Sequence, residues 1–464
     1  MNMKPLTLGE AAAAMGGKLI DGGGEVLIRQ VVMDSRLDVE GALFVAICGA
    51  RADGHGFVGD VLCRGAVACL VEREMEGVSG AQIVVDSTLR AVRDLAAYYR
   101  ELFDIPVIGI TGSVGKTSTK EMLATVLSEK FLVHKTAGNL NNELGVPMTL
   151  LGLREGHQAA VIEMGISDFG EMTRLTEMVR PTIAMITIIG YAHLDNLGDR
   201  AGVYRAKTEI LHGLAEDGLA LFNGDDDLLR PCRVTDISPE KTGVEKRLYG
   251  LEACNDYQAT DIVTQGEAGT TCTLHLGEES MAVTIPAFGL PFVYAALAAA
   301  AVGHRLGMTK EEITRGIVAF QTVSGRVNVC KTACLTIIDD CYNANPSSVR
   351  ASLTSLAGLS GRRVAVLGDM GELGPDAATL HREIGETVGE SGIDALIVVG
   401  EMSGHTYAGA KSARPDLLAW HFPDKGEALA VLPSLVMRGD QVLVKASRFM
   451  RFEEIVTALK AFDF

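Results

Sequence analysis

The chain lacks a surplus of basic residues, and this absence excludes one broad class of protein. Its 464 residues include 59 Asp and Glu but only 42 Lys and Arg, which gives a net charge of −17. A sequence-independent nucleic-acid binder needs a basic surface to replace the counterions of the phosphates. We therefore expect no nucleic-acid partner, although a few local cations and backbone N–H groups can still hold a small anionic ligand.

Cysteines in a disulfide or zinc pattern are also missing. There are nine cysteines, an odd number, and the closest set, Cys330, Cys334 and Cys341, fits no common zinc spacing. The N-terminal residues lack the apolar core of a signal peptide and include Glu10. We expect reduced thiols and a cytoplasmic protein.

One uncharged stretch, residues 286–303, has nearly the length of a membrane span. Two prolines and Gly289 interrupt its first third, and alanine dominates the rest. A buried helix that starts near Pro291 fits this pattern better, because proline is favoured in the first turn of a helix. We expect no membrane insertion.

The length predicts about three domains, and the pattern of elements divides the chain at 1–103, 104–322 and 323–464. The first region mixes short strands with turns and closes with a helix over 89–102. The second alternates strands, at 159–163, 183–188 and 219–222, with helices, and 255–285 resembles a short antiparallel insert. The third alternates again, with helices over 346–359 and near 427–436. We predict an α/β protein with a small N-terminal α/β domain, a central P-loop ATPase-like parallel sheet and a C-terminal Rossmann-like wound sheet without GxGxxG.

The stretch GITGSVGKTSTKEM, residues 109–122, predicts a turn from a buried strand into a helix that cradles a phosphate. Gly112 and Gly115 allow the backbone to approach the phosphate, Lys116 supplies a charge, and the Thr117 hydroxyl can bind Mg²⁺. The strict GxxxxGK[ST] pattern fails at Ile110, whereas TGxxGKT fits. The predicted nucleotide-binding residues are Thr111, Gly112, Ser113, Val114, Gly115, Lys116, Thr117 and Ser118.

Polar residues follow other strands of the second region. Glu163 ends one strand and His193 follows another, so both are expected at the carboxyl edge of the sheet that faces the nucleotide. The loop GNLNNELGVP, residues 138–147, adds three asparagines. Taken alone, the carboxylate could be merely solvated, the histidine structural and the loop an ordinary turn.

These stretches belong to a longer set of motifs. The set comprises DSR (34–36), GALFVAICGARADGHGF (41–57), TGSVGKTS (111–118), GNLNNELGVPMTLL (138–151), EMG (163–165), AHLDNLGD (192–199), AKTEIL (206–211), NGDD (223–226), SGR (324–326), DDCYNANPSS (339–348), LGDMGELG (367–374) and VLVKASR (442–448). Together they resemble the Mur ligase family, the ATP-dependent amino-acid-adding enzymes of peptidoglycan synthesis. The combination, without a DNPR motif, is similar to the branch that adds D-alanyl-D-alanine.

The resemblance implies an ADP-forming ligase that adds D-alanyl-D-alanine to UDP-N-acetylmuramoyl tripeptide through an acyl phosphate. It implies ATP and Mg²⁺ as cofactors, small-molecule substrates and a monomer. Residue by residue, it implies catalytic roles for Lys116, Asn139, Asn142, His193 and Lys207. The metal ligands would be Thr117, Glu163, His193 and Lys207, the last as a carbamate.

The resemblance also assigns residues of the outer domains. Arg326 and Asp340 would reach the nucleotide from the third domain. The substrate-binding residues would be Asp34, Ser35, Arg36, Asp53, Gly54, His55, Tyr342, Asn343, Asn345, Lys445, Ser447 and Arg448.

Three departures from the family pattern affect the adenine site and the closing loops. The family's GxHNxxN stretch aligns with Gly289, Pro291, Phe292 and Ala295, so its histidine and both asparagines are missing. VLVKASRFM differs from KGSRSM, and Val114 replaces an asparagine. We expect the base to be held by packing, with discrimination against GTP below the ~10⁴ that a hydrogen-bonding pocket can reach.

Two other functions share parts of this pattern. A sibling ligase that joins a different amino acid, or a glutamate chain, would carry the same nucleotide motifs, so substrate assays distinguish it. A P-loop switch that hydrolyses ATP without making an amide bond would release phosphate in the absence of a carboxylate or amine substrate.

Overall fold

The computed structural model describes residues 3–49 and 52–463. Ala50 and Arg51, which belong to the motif at 41–57, lie outside the described residues. Three main sheets follow one another along the chain, and helices pack on each of them. The predicted α/β fold with three domains is confirmed.

The first sheet is built from short strands, as predicted. Its order is β2-β7-β6-β5-β4, and only β2 runs antiparallel to its neighbour; β1 and β3 form a separate pair. Ser87 caps the closing helix, which lies within one residue of the predicted bounds. The elements are β1 (Leu6–Thr7), α1 (Leu8–Ala14), β2 (Lys18–Ile20), β3 (Leu27–Ile28), β4 (Gln30–Val32), β5 (Ala42–Val45), α2 (Val58–Cys63), β6 (Ala68–Val71), β7 (Gln82–Val84) and α3 (Thr88–Glu101).

The central sheet has nine strands in the order β16-β15-β14-β13-β12-β11-β8-β10-β9. Its elements are β8 (Val107–Thr111), α4 (Lys116–Leu127), β9 (Val133–Lys135), α5 (Gly145–Leu151), β10 (Ala159–Glu163), α6 (Glu171–Val179), β11 (Ile183–Ile186), α7 (Leu194–Leu197), α8 (Arg200–Thr208), β12 (Leu219–Asn223), α9 (Val234–Ile237), β13 (Glu245–Gly250), β14 (Tyr257–Thr264), β15 (Thr270–Leu276), β16 (Glu279–Ile285), α10 (Leu290–Arg305) and α11 (Lys310–Val318).

Strand β8 lies between β10 and β11 and is parallel to both. The chain leaves β8 towards β9 and β10 on one side, and then returns to β11 and β12 on the other. The carboxyl end of β8 is therefore the point where the strand order reverses. In open α/β sheets this crevice is the usual ligand site.

The predicted antiparallel insert does not stand apart from the central sheet. Strands β14, β15 and β16 alternate buried and exposed residues, and β14 pairs in parallel with β13, so the insert extends the sheet. Helix α10 covers the same face, and its alanines are buried against it. Within the described residues, we find no helix with the length and apolarity needed to cross a membrane.

The third sheet has six strands in the order β17-β18-β22-β19-β20-β21, and only β17 is antiparallel. Asn345 caps α12, and Pro346 fits its first turn, where no backbone N–H is needed. The elements are β17 (Asn328–Lys331), β18 (Thr336–Asp339), α12 (Pro346–Ala357), β19 (Arg363–Gly368), α13 (Ala377–Glu390), β20 (Ala395–Val399), α14 (Ser403–Ala413), β21 (Leu418–Phe422), α15 (Lys425–Leu435), β22 (Gln441–Lys445) and α16 (Glu453–Lys460). Short 3₁₀ turns span Gly54–Phe57, Glu209–Leu211, Gly266–Ala268, Gly374–Asp376 and Arg448–Met450.

Candidate active site

The phosphate loop runs from β8 into α4 and requires glycine at two positions. Gly112 has a φ of 145° and Gly115 a φ of 85°, in the region that other residues rarely adopt. A Cβ on Gly112 would lie 1.9 Å from Oγ1 of Thr187, which itself donates to the carbonyl oxygen of Val114 at 2.6 Å. The loop is thus held against β11, and the first N–H groups of α4, which have no partner inside the helix, are left for an anion.

A partly buried lysine and a fully buried lysine lie near this loop. Lys116 Nζ donates to the carbonyl oxygen of Gly112 at 2.7 Å. Lys207, on α8, is only 1% exposed. Burial lowers the pKa of Lys207 well below its ordinary value, and the nearby Lys116 charge lowers it further. The pKa of Lys116 is also lowered, again chiefly by burial. This environment therefore favours the uncharged form of the Lys207 amine over the ammonium.

Glu163 ends β10 at the carboxyl edge, where the sequence predicted it, and is 1% exposed. Its Oε1 accepts hydrogen bonds from Thr117 Oγ1 at 3.1 Å and from Asn141 Nδ2 at 2.8 Å. Among the described residues, nothing donates a hydrogen bond to its Oε2, and Lys120 Nζ lies 3.7 Å away from that atom. A buried carboxylate oxygen without a donor fits a site completed by a cation.

The asparagine loop presents a different residue from the two predicted to be catalytic. Asn141 is the residue that contacts Glu163, as described above. Asn142 accepts from the N–H groups of Leu144 and Gly145 and so stabilises the start of α5. Asn139 is exposed. Both predicted residues still line the same cavity as Asn141.

The third domain adds a charged cluster. Lys445 Nζ lies 2.5 Å from Asp340 Oδ2, which also accepts from Ser352 Oγ at 2.6 Å. The Arg326 guanidinium stacks over the Tyr342 ring, with 4.1 Å between Cζ and the ring centroid. These groups bring two cations and one carboxylate to the phosphate loop.

Other predicted residues of the third domain have structural contacts. Asn345 forms a reciprocal capping pair with Ser348, and the Asn343 carbonyl oxygen accepts from Lys445 at 3.2 Å. Ser447 is buried, and its Oγ accepts from the Gly371 N–H at 2.9 Å. Arg448 is exposed, pairs with Glu453 and does not line the cavity.

His193 connects the second and third domains. Its Nδ1 lies 2.6 Å from Oε2 of Glu372, in the LGDMGELG motif, and the neighbouring Leu194 N–H donates to the Glu372 carbonyl oxygen. The hydrogen bond from His193 lowers the pKa of Glu372. His193 also lines the cavity.

Residues of the second and third domains line one cavity of about 290 Å³. The groups it gathers are the phosphate loop, the asparagine loop, Glu163 and the charged cluster. The predicted residues in its lining are Ser113, Val114, Gly115, Lys116, Thr117, Ser118, Asn139, Asn142, Glu163, His193, Arg326, Asp340, Tyr342, Asn343, Asn345 and Lys445.

The first domain carries a separate cavity of about 430 Å³, which Asp34, Ser35, Arg36 and Gly54 help to line. The Arg36 guanidinium, with its side chain 88% exposed, holds the pKa of Asp34 at about 2.

Asp53 and His55 are not among the residues that line that cavity. His55 Nδ1 is 2.6 Å from Asp53 Oδ1, and His55 Nε2 accepts from the Glu72 N–H. Both ring nitrogens are therefore used inside the protein.

Sequence reasoning missed two residues of the central site, Asn141 and Lys120. Lys120 is fully buried on α4, donates to the Gly138 carbonyl oxygen at 3.0 Å and lies 3.0 Å from Glu121 Oε1. It thereby ties the asparagine loop to the helix that follows the phosphate loop. Lys120 follows Lys116 by four residues, and residues at i and i+4 share a helix face. This spacing could have indicated that Lys120 lies on the same side of α4 as Lys116.

Comparison with known proteins gives two family matches. The Mur ligase middle domain matches residues 110–303, and the glutamate ligase domain of Mur ligases matches residues 325–448. UDP-N-acetylmuramoyl-tripeptide–D-alanyl-D-alanine ligase of Bacillus subtilis is 37% identical over 94% of both chains. The Escherichia coli enzyme of the same name is 37% identical over 99% of both chains.

Solved structures agree with these matches. A crystal structure of MurF from Acinetobacter baumannii superposes with a TM-score of 0.91, at 34% identity over 100% of both chains. MurF ligase from Thermotoga maritima in complex with ADP gives a TM-score of 0.82, at 29% identity, over 93% of this chain and 97% of that one.

Proposed function

Because the chain belongs to the Mur ligase family, we propose that it adds D-alanyl-D-alanine to UDP-N-acetylmuramoyl tripeptide with conversion of ATP to ADP. The observation that carries the chemistry is the cavity in which the phosphate loop, Glu163 and the third-domain cluster meet. The end-to-end similarity to D-alanyl-D-alanine ligases supports the choice of substrates.

The reaction joins a carboxylate to an amine in two steps. The terminal carboxylate of the tripeptide attacks the γ-phosphorus of ATP, which gives an acyl phosphate and ADP. The dipeptide amine then attacks the acyl carbon, loses a proton, and phosphate leaves. Both steps place negative charge on phosphoryl or carbonyl oxygens, so fixed cations and N–H donors accelerate them.

The protein supplies these groups from two domains. In this proposal Lys116 and the first N–H groups of α4 hold the β- and γ-phosphates. Arg326 and Lys445 neutralise charge from the opposite wall, and Asp340 keeps the Lys445 ammonium in place through their 2.5 Å contact. Enclosing the site between domains keeps water from hydrolysing the acyl phosphate.

The donor set fits Mg²⁺. The hydroxyl of Thr117 and the Oε2 of Glu163, which accepts no hydrogen bond among the described residues, are oxygen donors of the kind Mg²⁺ prefers. His193 could join them through Nε2 while its Nδ1 keeps the contact with Glu372. When bound, Mg²⁺ would neutralise part of the phosphate charge.

Carbamylation of Lys207 would supply a second anionic ligand. Among the described residues, no three His, Cys, Asp or Glu side chains come together as a metal site. A neutral amine attacks CO₂ and releases one proton, which leaves a carboxylate on nitrogen. The buried environment of Lys207 favours that neutral amine.

The remaining assignments complete the proposal. The cavity lined by Asp34 and Arg36 would take the UDP part of the substrate. The domains would span 1–103, 104–322 and 323–464, and the enzyme would act as a monomer in the cytoplasm.

Mass spectrometry of the product tests the choice of substrates. Purified protein with ATP, Mg²⁺ and UDP-muramoyl tripeptide is offered D-alanyl-D-alanine in one reaction and single amino acids in others. We expect UDP-muramoyl pentapeptide only with the dipeptide. A faster reaction with a single amino acid would instead assign the chain to a sibling ligase.

A further inference from the structure

A second cavity, of about 270 Å³, adjoins the phosphate cavity. Val114, Gly115, Pro291 and Ala351 belong to both linings, so a ligand on the phosphate loop can extend from one cavity into the other. The volume is near the lower end, about 300 Å³, of small-molecule sites. This cavity can therefore take the group that lies beyond the phosphates of a bound nucleotide.

Two of the apolar residues that replace the family's His-Asn-Asn pattern do not line this second cavity. Ala295 is fully buried in α10. Phe292 packs beside Phe320, with ring centroids 5.7 Å apart, and lines the phosphate cavity instead. Of the three replacing residues, only Pro291 is in contact with this cavity, so the polar residues of its lining are the further candidates for contact with a base.

Asn223, at the end of β12, offers a hydrogen-bond donor to the second cavity. The residue is 6% exposed and lines the cavity. Its Oδ1 accepts from the Asp225 N–H at 3.0 Å, which fixes the orientation of the amide. In the described part of the chain, no atom accepts a hydrogen bond from its Nδ2. The Nδ2 group is therefore a donor that a ligand in this cavity can use.

Tyr294, on the first turns of α10, offers an acceptor. Its hydroxyl donates to Asp225 Oδ2 at 2.8 Å. Burial, helped by that carboxylate, raises the pKa of Tyr294, so the hydroxyl keeps its proton. The proton points at Asp225, which leaves the lone pairs of the hydroxyl oxygen for another donor.

Asp225 holds both groups in position. It also accepts from the Leu251 and Glu252 N–H groups and from Asn255 Nδ2. With all these donors satisfied, Asp225 is a fixed support for Asn223 and Tyr294.

Resting on the proposed function, we propose that Asn223 Nδ2 and Tyr294 Oη read the adenine base of ATP. Adenine carries an amino donor on C6 beside a ring nitrogen that accepts, which complements one acceptor and one donor. Guanine has an oxygen at C6, which would face the lone pairs of the Tyr294 hydroxyl. Hydrogen bonding thus replaces the packing that the sequence alone led us to expect, and ATP is preferred over GTP.

The test measures nucleotide affinity by displacement of a fluorescent ADP analogue, independently of ligation. For the wild-type protein we expect ATP to bind about tenfold more tightly than purine riboside triphosphate, which lacks the amino group, as one hydrogen bond allows. Tyr294→Phe should weaken the binding of ATP about tenfold and leave the affinity for purine riboside triphosphate unchanged. The preference for ATP over this analogue should then disappear. Asn223→Leu should weaken the binding of ATP. Of the two analogues 1-deaza-ATP and 7-deaza-ATP, one should bind the variant as well as it binds the wild-type protein. The ring nitrogen that this analogue lacks is the one that Asn223 contacts.

The matched control is Asn255→Ala, which disturbs Asp225 without reaching the cavity. It should lower stability and keep the preference among the analogues. Equal wild-type affinity for ATP, GTP and purine riboside triphosphate would overturn the inference, as would equal losses for all analogues in Tyr294→Phe. If ATP does not bind the wild-type protein at all, the proposed function fails as well; if pentapeptide forms without any base preference, only the inference fails.

Discussion

Lys116 and Lys207 illustrate how burial sets the chemistry of individual residues. Burial lowers the pKa values of both amines, and the charge of Lys116 lowers the pKa of Lys207 further. A phosphate on the loop would favour the charged form of Lys116, because opposite charges stabilise each other. Lys207 lacks such a partner among the described residues, so the two lysines are expected to do different work.

Lys116→Ala tests the phosphate contact. The variant loses the positive charge that stays in contact with the γ-phosphoryl group during its transfer. We therefore expect kcat to fall by a factor of about 10²–10³. Circular dichroism should be unchanged, because the side chain donates its hydrogen bond to its own loop. Lys135→Ala is the control, since Lys135 is half exposed and its ion pair is with Glu121. Wild-type turnover of Lys116→Ala would refute the assignment.

Lys207→Ala tests the carbamate. We expect most of the activity to be lost while folding and nucleotide binding persist. Short-chain carboxylic acids should restore part of the rate by occupying the vacated position. Lys246→Ala is the control, because burial also lowers the pKa of Lys246 but its amine donates to the carbonyl oxygens of Arg230 and Cys232 and does not lie beside Lys116.

Carbon NMR with ¹³CO₂ observes the modification directly. A carbamate signal should appear in the wild-type protein and be absent from Lys207→Ala. A wild-type spectrum without that signal, in fully active enzyme, would contradict carbamylation.

Residue types were easier to predict than their roles. Glu163 was placed correctly at the edge of the sheet because the end of a buried strand fixes its position. The choice among Asn139, Asn141 and Asn142 depends on the turn that the loop makes, and a run of turn-forming residues does not specify that turn. The contact between Asn141 and Glu163 therefore became visible only in the structure.

Among the elements, the phosphate loop has the strictest backbone requirement. Gly112→Ala would place a methyl group 1.9 Å from Thr187 Oγ1, at a φ of 145°. Backbone strain and overpacking each cost about 1–3 kcal/mol, so the free energy of unfolding should fall by about 2–6 kcal/mol. Nucleotide affinity should fall at least tenfold, because Thr187 also holds Val114.

Thermal denaturation and nucleotide displacement measure the two effects. Gly59→Ala is the control, since Gly59 lies in α2 with open space around it. That substitution should be neutral or slightly stabilising. Unchanged stability and affinity in Gly112→Ala would show that the loop tolerates a side chain.

Elements with their own periodicity were predicted well. The helix near Pro291 was expected and is α10. The insert at 255–285 was expected to be antiparallel, but the pairing of β14 with β13 was not. Strand pairing across a sheet is a non-local contact, and the alternation within one strand does not identify its neighbour.

At the scale of the whole molecule, the active site exists because two domains meet. The contact between His193 and Glu372 and the cavity lined by Glu163, Arg326 and Lys445 join the second domain to the third. The length of the chain and the pattern of its elements predicted three domains. It could not predict the pairing of His193 with Glu372, because the two residues are far apart in sequence.

The most direct test of the account is the ratio of ADP to pentapeptide. ADP and UDP-muramoyl pentapeptide are measured in the same reaction, with each of the two substrates omitted in turn. We predict one ADP per pentapeptide, and no sustained ADP release when either the tripeptide or D-alanyl-D-alanine is absent. Continuous ADP release without the dipeptide, or correctly folded protein that forms no pentapeptide, would contradict the proposed ligase and favour an ATPase.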